Sequence, residues 1–99
     1  MDLRTGLARA LQLTRKSKGI TQEDFSNVSS RTYISSLERG LKSPTVEKLD
    51  ELASVLGVHP VSLFLLTYLA AEGADLSKLL KRVESEVNEV TSFESDYRK

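Results

Sequence analysis

The sequence predicts an all-α protein with a five-helix domain followed by one C-terminal helix. Apolar residues recur at three- and four-residue spacing along most of the 99 residues. Good N-cap residues precede these periodic segments, and glycines stand where helices should end, at Gly19, Gly40, Gly57 and Gly73. A chain this short buries only a small core by itself, so a partner is expected.

The composition excludes several classes of protein. The chain has no cysteine and one histidine, His59, which argues against a disulfide framework, a thiol nucleophile, a metal centre or a histidine-based triad. No metal, cofactor or enzymatic activity is therefore expected. The N-terminus has no apolar signal segment, and the apolar stretch 61–71 is about half of the ~20 residues needed to span a bilayer. We expect a cytoplasmic protein without membrane contact.

Charge is distributed unevenly although the formal net charge is +0. Residues 1–42 carry eight basic and four acidic side chains, and residues 43–99 carry six basic and ten acidic ones. With a basic N-terminal part and an acidic C-terminal part, the molecule would turn its N-terminal part toward a polyanion.

The first two helices lie before residue 30. Leu3, Leu7, Ala10 and Leu11 predict a helix to about Ser17. Thr21 starts a second helix, with Glu23 and Asp24 in its first turn, where negative charge is favourable. That helix must be short because residues 27–30 are poor helix formers typical of a turn.

The third helix is predicted from Arg31 to Arg39, with Ser30 as its N-cap. At 100° per residue, Ile34 and Leu37 share one side and must be its buried face. The opposite side is polar and consists of Thr32, Ser35, Ser36 and Arg39.

Three further helices follow. Pro44 and Thr45 open the fourth, and His59 and Pro60 open the fifth. The fifth is apolar nearly all round, so it needs two covering surfaces, and the second is expected to be another copy of the chain. Asp75 caps a sixth helix with an apolar seam too short to stand alone, formed by Leu76, Leu80, Val83, Val87 and Val90.

These features give an expected domain organisation. Residues 1–72 form the five-helix domain, and residues 73–99 form the C-terminal helix and a tail that is frayed from Thr91. The homodimer interface is expected on the last two helices, at Leu63, Phe64, Leu66, Leu80, Val83 and Val87.

The second helix, the turn and the polar third helix form a helix-turn-helix, which lays its second helix in the DNA major groove. The segments 19–25, 31–35, 37–40, 44–45 and 56–58, in this order, resemble the Xre family of Cro- and lambda-repressor-like regulators. The resemblance covers residues 7–69 and implies a lambda-repressor-like fold. The turn is about two residues shorter than the family pattern and has serine in place of its usual glycine.

The resemblance and the chemistry of the side chains assign the DNA contacts. Arg31 and Thr32 are expected at base edges, because a guanidinium matches O6 and N7 of guanine and a threonine offers a hydroxyl and a methyl group. Tyr33 is either an aromatic residue at the core edge or a contact to DNA. The other expected DNA-contacting residues are Gln22, Ser30, Ser35, Ser36, Arg39, Lys42 and Ser43. The family pattern also implies a structural ion pair between Arg15 and Glu38.

The predicted function is a homodimeric, sequence-specific regulator of transcription that binds a two-fold DNA operator. Repression is the preferred role, and the sequence leaves activation open. RNA polymerase is a possible further partner. Three alternatives stay open: a controller of a restriction-modification operon, an antitoxin whose residues 73–99 bind a toxin protein, and an interaction module that has lost DNA binding.

Overall fold

The computed structural model describes residues 1–97, and all regular structure in this range is helical. A four-residue 3-10 helix, Gln22–Phe25, lies between the first two of five α-helices: α1 (Leu3–Ser17), α2 (Arg31–Glu38), α3 (Val46–Leu56), α4 (Pro60–Glu72) and α5 (Leu76–Tyr97). The all-α prediction is confirmed, and α2 corresponds to the third helix of the sequence prediction. The end of the expected tail, residues 98 and 99, lies outside the described range.

Side chains at the helix starts satisfy backbone N–H groups that have no partner inside a helix. The Ser30 hydroxyl accepts from the Tyr33 N–H at 3.1 Å, and the Thr45 hydroxyl accepts from the Lys48 N–H at 3.0 Å. His59 accepts from the Val61 N–H through Nδ1 at 3.0 Å. These caps fix where α2, α3 and α4 begin.

Two segments differ from the sequence prediction. The second helix is a 3-10 turn of four residues, closed by the Asp24 carboxylate, which accepts from the Thr21 N–H at 2.7 Å. The prediction of a frayed tail from Thr91 is wrong, because α5 continues to Tyr97. The Thr91 hydroxyl donates to the Val87 carbonyl at 2.9 Å, so a poor helix former is accommodated within the turn.

The core lies where α1, α2, α3 and α4 meet around the 3-10 helix. Its fully buried large side chains come from every one of these elements: Phe25, Leu11, Ile34, Leu37, Leu52, Leu56 and Leu63. Leu63 has no exposed surface, so its assignment to the dimer interface is wrong: one side of α4 completes the core of its own domain. Leu66 is half-buried and packs on the same core, which leaves it little surface for a second copy.

The other side of α4 and most of α5 are exposed. Phe64 on α4 is 47% exposed, and on α5 the predicted interface residues Leu80, Val83 and Val87 are all more than 40% exposed. No single helix among the described residues is long and apolar enough to cross a membrane; α3 and α4 meet that criterion only as a pair bent by 101°.

A glycine sets the distance between α1 and α4. A Cβ atom at Gly6 would lie 2.6 Å from the Thr67 carbonyl oxygen and 2.8 Å from the Ala71 Cβ, both in α4. No real Cβ fits at such distances, so the two helices approach this closely only because position 6 has no side chain.

A buried ion pair joins α1 to the end of α2. Arg15 donates from Nε to Glu38 Oε2 at 2.7 Å and from a terminal nitrogen to Oε1 at 2.9 Å. The two side chains are only 14% and 5% exposed. The hydrogen bonds to Glu38 raise the pKa of Arg15 above its ordinary value. Arg15 also donates to the Ile20 carbonyl at 3.1 Å and so fixes the chain just before the 3-10 helix.

The packing of Gly6 predicts the effect of an alanine there. Gly6→Ala should lower the free energy of unfolding by about 1–3 kcal/mol, because the methyl group must push α1 away from α4. In an open helix the same change would stabilise by about 0.5–1 kcal/mol. Chemical denaturation measures the difference, with Lys16→Ala on the exposed side of α1 as the control. A Gly6→Ala protein more stable than the wild type would contradict the packing.

The ion pair predicts a second stability effect. Arg15→Met should lower the free energy of unfolding by about 3–5 kcal/mol, because it leaves the Glu38 carboxylate buried without its main partner. The matched control is Arg9→Met, an exposed arginine on the same helix, which should change stability by less than about 0.5 kcal/mol. Equal melting temperatures for the two variants would show that the pair contributes nothing.

Candidate nucleic-acid interface

The 3-10 helix, the turn and α2 form a helix-turn-helix whose second helix has one buried side. Ile34 and Leu37 are fully buried, while Arg31 and Thr32 in the first turn of α2 are exposed. Their side chains are therefore available at the surface, as the sequence prediction requires. Ser30 is also exposed, and its hydroxyl oxygen accepts from the Tyr33 N–H. A hydroxyl group also carries one donor, which can serve a second partner.

Gln22 does not extend freely into solvent. It is half-buried, and its amide nitrogen donates to Glu38 Oε1 at 3.2 Å. An amide NH₂ carries two donors, so this contact leaves one for another acceptor. The bond holds the start of the 3-10 helix against the end of α2.

Ser35 and Ser36 on α2 and Arg39 directly after it differ in their exposure. Ser35 is half-buried, and Arg39 is exposed, with its Nε 3.4 Å from the Ser35 carbonyl. Ser36 is only 7% exposed, and its hydroxyl donates to the Thr32 carbonyl at 3.0 Å. The assignment of Ser36 to the DNA surface is therefore corrected: its side chain is buried, and its hydroxyl is bonded within α2.

Tyr33 lies at the edge of the core. Its half-buried ring packs against the core, and the ammonium groups of Lys42 and Lys48 lie 5.6 and 6.0 Å from the ring centroid. Cations at these distances are attracted to the face of an aromatic ring. Of the two interpretations of Tyr33 from the sequence, its packing favours the aromatic residue at the core edge.

Lys48 is a residue that sequence reasoning missed. Its ammonium group donates to the Val28 carbonyl in the turn and, at 2.9 Å, to Glu51 on its own helix. It therefore links α3 to the short turn before α2. No pattern in the sequence indicates this contact, because it joins residues 20 positions apart through the fold.

Arg4 is a second missed residue. Its Nε donates to the Ser43 hydroxyl at 3.2 Å, which attaches the start of α1 to the loop after α2. Lys42 and Ser43 are exposed in this loop. The contact brings Arg4, a second cation, close to Lys42 and Ser43, two of the predicted DNA-contacting residues.

An acidic side chain lies beside Arg31. Glu23 in the 3-10 helix approaches the Arg31 guanidinium at 3.4 Å, and the two side chains are more than 70% exposed. An ion pair this exposed contributes little to stability. It places one carboxylate next to a cation that is predicted to contact DNA.

The sequence matches helix-turn-helix proteins. A family model described as helix-turn-helix matches residues 7–63, more than half of the chain. The uncharacterized HTH-type transcriptional regulator y4dJ of Sinorhizobium fredii is 46% identical over 65 residues, which cover 64% of this chain and 84% of the relative.

Two solved structures are similar in fold. The clp gene regulator ClgR from Corynebacterium glutamicum has a TM-score of 0.64 and 27% identity, over 95% of each chain. The hypothetical transcription factor NHTF from Neisseria has a TM-score of 0.59 and 34% identity, over 64% of this chain and 75% of the other. The sequence motifs, the helix-turn-helix and these matches agree: the chain belongs to the Xre-like helix-turn-helix family of transcriptional regulators.

Proposed function

We propose that the chain is a homodimeric repressor that binds a two-fold operator in double-stranded DNA and lays α2 in the major groove. The observation that carries this proposal is the division of α2 into two sides. Ile34 and Leu37 hold the helix in the core, and Arg31 and Thr32 project from its exposed first turn. The N-terminal part of a recognition helix is the part that reaches base edges.

The exposed side chains match the two kinds of DNA contact. Arg31 can donate two hydrogen bonds to O6 and N7 of one guanine, and Thr32 can contact a neighbouring base through its hydroxyl or methyl group. Ser35 lies one turn further on and is the third candidate at the bases. The phosphate contacts are assigned to Gln22, Ser30, Arg39, Lys42 and Ser43, which surround α2 and carry cations or hydrogen-bond donors.

A homodimer is supported by the apolar surface outside the core. Phe64 on α4 and Leu80 and Val83 on α5 line one open hollow of about 320 Å³. Exposed apolar surface that continues over two helices is typical of an interface. Two copies related by a two-fold axis would read two half-sites about 34–36 Å apart, and occupation of such a site at a promoter would block polymerase.

Selection of bound sequences from random duplexes tests this function. At low and at near-physiological salt, the 99-residue chain should recover one consensus with inverted half-sites about one helical turn apart. Recovery of no consensus at either salt concentration would contradict sequence-specific binding. A consensus with a single half-site would contradict the two-fold arrangement.

The two classes of contact predict different mutant behaviour. Arg31→Ala should remove preference at one base pair in each half-site, a loss of about 1–3 kcal/mol of discrimination. Lys42→Ala should weaken binding to all sequences alike and reduce the salt slope by about one. Competition binding against single-base variants of the selected site, at several salt concentrations, separates the two effects. Equal behaviour of both variants would contradict the assigned roles.

The carboxylate beside Arg31 predicts a gain of affinity. Glu23→Gln should tighten DNA binding by about 1 kcal/mol, roughly fivefold, because it removes a negative charge that competes with DNA for Arg31 and repels phosphate. Glu72→Gln, an exposed carboxylate at the end of α4, is the control and should leave affinity unchanged. Weaker binding by Glu23→Gln would mean that Glu23 orients Arg31 for DNA, contrary to this prediction.

A further inference from the structure

The first turn of α1 lies against the loop that follows α2. Arg4 donates from Nε to the Ser43 hydroxyl at 3.2 Å, and a Cβ atom added at Gly40 would lie 3.8 Å from the Thr5 Cα atom. By the period of an α-helix, Arg4 and Arg15 lie within about 20° of each other around α1. Because Arg15 contacts the end of α2, Arg4 is on the side of α1 that faces α2 and its loop.

Most hydrogen-bond donors of Arg4 and of this loop are unused. A guanidinium group carries several N–H donors, and Arg4 uses only its Nε, for Ser43. The Ser43 hydroxyl accepts that hydrogen bond and can still donate its own hydrogen. The backbone N–H groups of Lys42 and Ser43 donate to no acceptor in the described part of the chain. Several donors therefore lie close together without an acceptor.

The charge at this surface is positive and is not paired with acidic side chains. Arg4, Arg39 and Lys42 form no ion pair with any residue that the structure describes. Asp2 directly precedes α1, and its carboxylate accepts from the Thr5 N–H at 2.8 Å. That hydrogen bond, with a smaller contribution from the charge of Arg4, lowers the pKa of Asp2. The Asp2 carboxylate therefore caps α1 and leaves Arg4 without a salt bridge.

We propose that Arg4 and Ser43 together bind one phosphate group of the DNA backbone. This inference rests on the proposed DNA binding and adds a contact from α1, a helix to which the sequence assigned none. A phosphate group supplies the negative charge and the acceptor oxygens that these donors lack. The two terminal nitrogens of Arg4 donate as a fork to two phosphate oxygens, and the Ser43 hydroxyl donates to one of them.

The place of this pair relative to α2 agrees with a contact to the backbone rather than to a base. Arg31 and Ser43 lie at opposite ends of α2, whose eight residues span about 12 Å, close to the width of the major groove. When the N-terminal residues of a recognition helix are at the base edges, its other end points away from the bases. The loop after α2 then lies toward the sugar-phosphate backbone, and Arg4 lies beside that loop.

The contact also helps to fix the orientation of the domain on the duplex. A phosphate contact carries no sequence information, but it sets the register and the angle at which a recognition helix enters the groove. Arg4 and Arg31 are on different helices, so the two contacts together hold the domain at two separate points. The hydrogen bond from Arg4 to Ser43 reduces the freedom that the long side chain would lose on binding.

Binding of the 99-residue chain to the selected operator and to a duplex without it, at several salt concentrations, tests the contact. Arg4→Ala should weaken binding to both duplexes by roughly tenfold for each bound copy and reduce the salt slope by about one per copy. Arg4→Lys keeps the charge and loses the fork, so it should restore the salt slope but only part of the affinity. Lys78→Ala, which removes an exposed cation of α5, is the control and should change neither.

Operators in which one phosphate at a time is replaced by an uncharged methylphosphonate identify the phosphate group itself. At one position in each half-site, the replacement should weaken binding of the wild type by roughly tenfold and leave binding of Arg4→Ala unchanged, because that variant has already lost the contact. If the replacement at every position weakens the two proteins equally, Arg4 contacts no phosphate and the inference is wrong.

The inference and the proposed function can fail separately. A wild type that prefers no duplex, with Arg4→Ala still weaker on all of them, would contradict the sequence-specific regulator and support the phosphate contact. A wild type that selects an operator to which Arg4→Ala binds equally well would overturn the inference alone. Weaker association of Arg4→Ala copies in light scattering without DNA would place Arg4 at a protein interface and also overturn it. A wild type that binds no duplex would contradict both.

Discussion

One buried carboxylate, that of Glu38, holds α1, the 3-10 helix and α2 together. Glu38, at the end of α2, accepts two hydrogen bonds from Arg15 on α1 and one from Gln22 on the 3-10 helix. Its backbone carbonyl accepts from the Gln12 side chain at 2.7 Å. Three elements therefore converge on one residue, and no buried polar side-chain atom in the described part of the chain is left without a partner. A fully satisfied polar cluster of this kind fixes geometry more than it adds stability, since desolvation opposes the attraction of the charges.

A hydrogen bond from α3 also stabilises the short turn before α2. Only residues 26–30 separate the 3-10 helix from α2, and the Val28 carbonyl in this turn accepts from Lys48 on α3. The lysine ammonium also lies over the Tyr33 ring, which packs on the core. The orientation of α2 is thus set from both ends, by Arg15 at its C-terminal end and by Lys48 near its N-terminal end. Arg31 and Thr32 take no part in these contacts and remain exposed in the first turn of α2.

The molecule has a closed core at one end and exposed apolar surface at the other. The 3-10 helix and α1 to α4 build a domain whose core closes on itself, with Gly6 allowing α1 and α4 to touch. Beyond this core, α4 and α5 retain apolar surface that a single copy of the chain leaves open. The proposed dimer connects the two: the apolar end would bring two recognition helices to a fixed spacing, and the polar end would contact the DNA. A small domain with little core of its own then gains both stability and specificity from association.

The sequence by itself determined where most helices start and stop, and the helix-turn-helix, because caps, glycines and apolar spacing act within a few residues of one another. It did not show that the second helix is a 3-10 turn or that α5 continues to Tyr97. It also identified the exposed Arg31 and Thr32, since the period of an α-helix separates a buried side from a polar one. It misplaced Ser36 and Leu63, because 100° steps alone do not decide which side of a helix a neighbouring element covers. Only the tertiary structure decided the contacts of Lys48 with Val28 and Arg4 with Ser43, and the tight approach at Gly6. These join residues 20 to 65 positions apart, and such distances are set by how whole helices pack rather than by any local pattern.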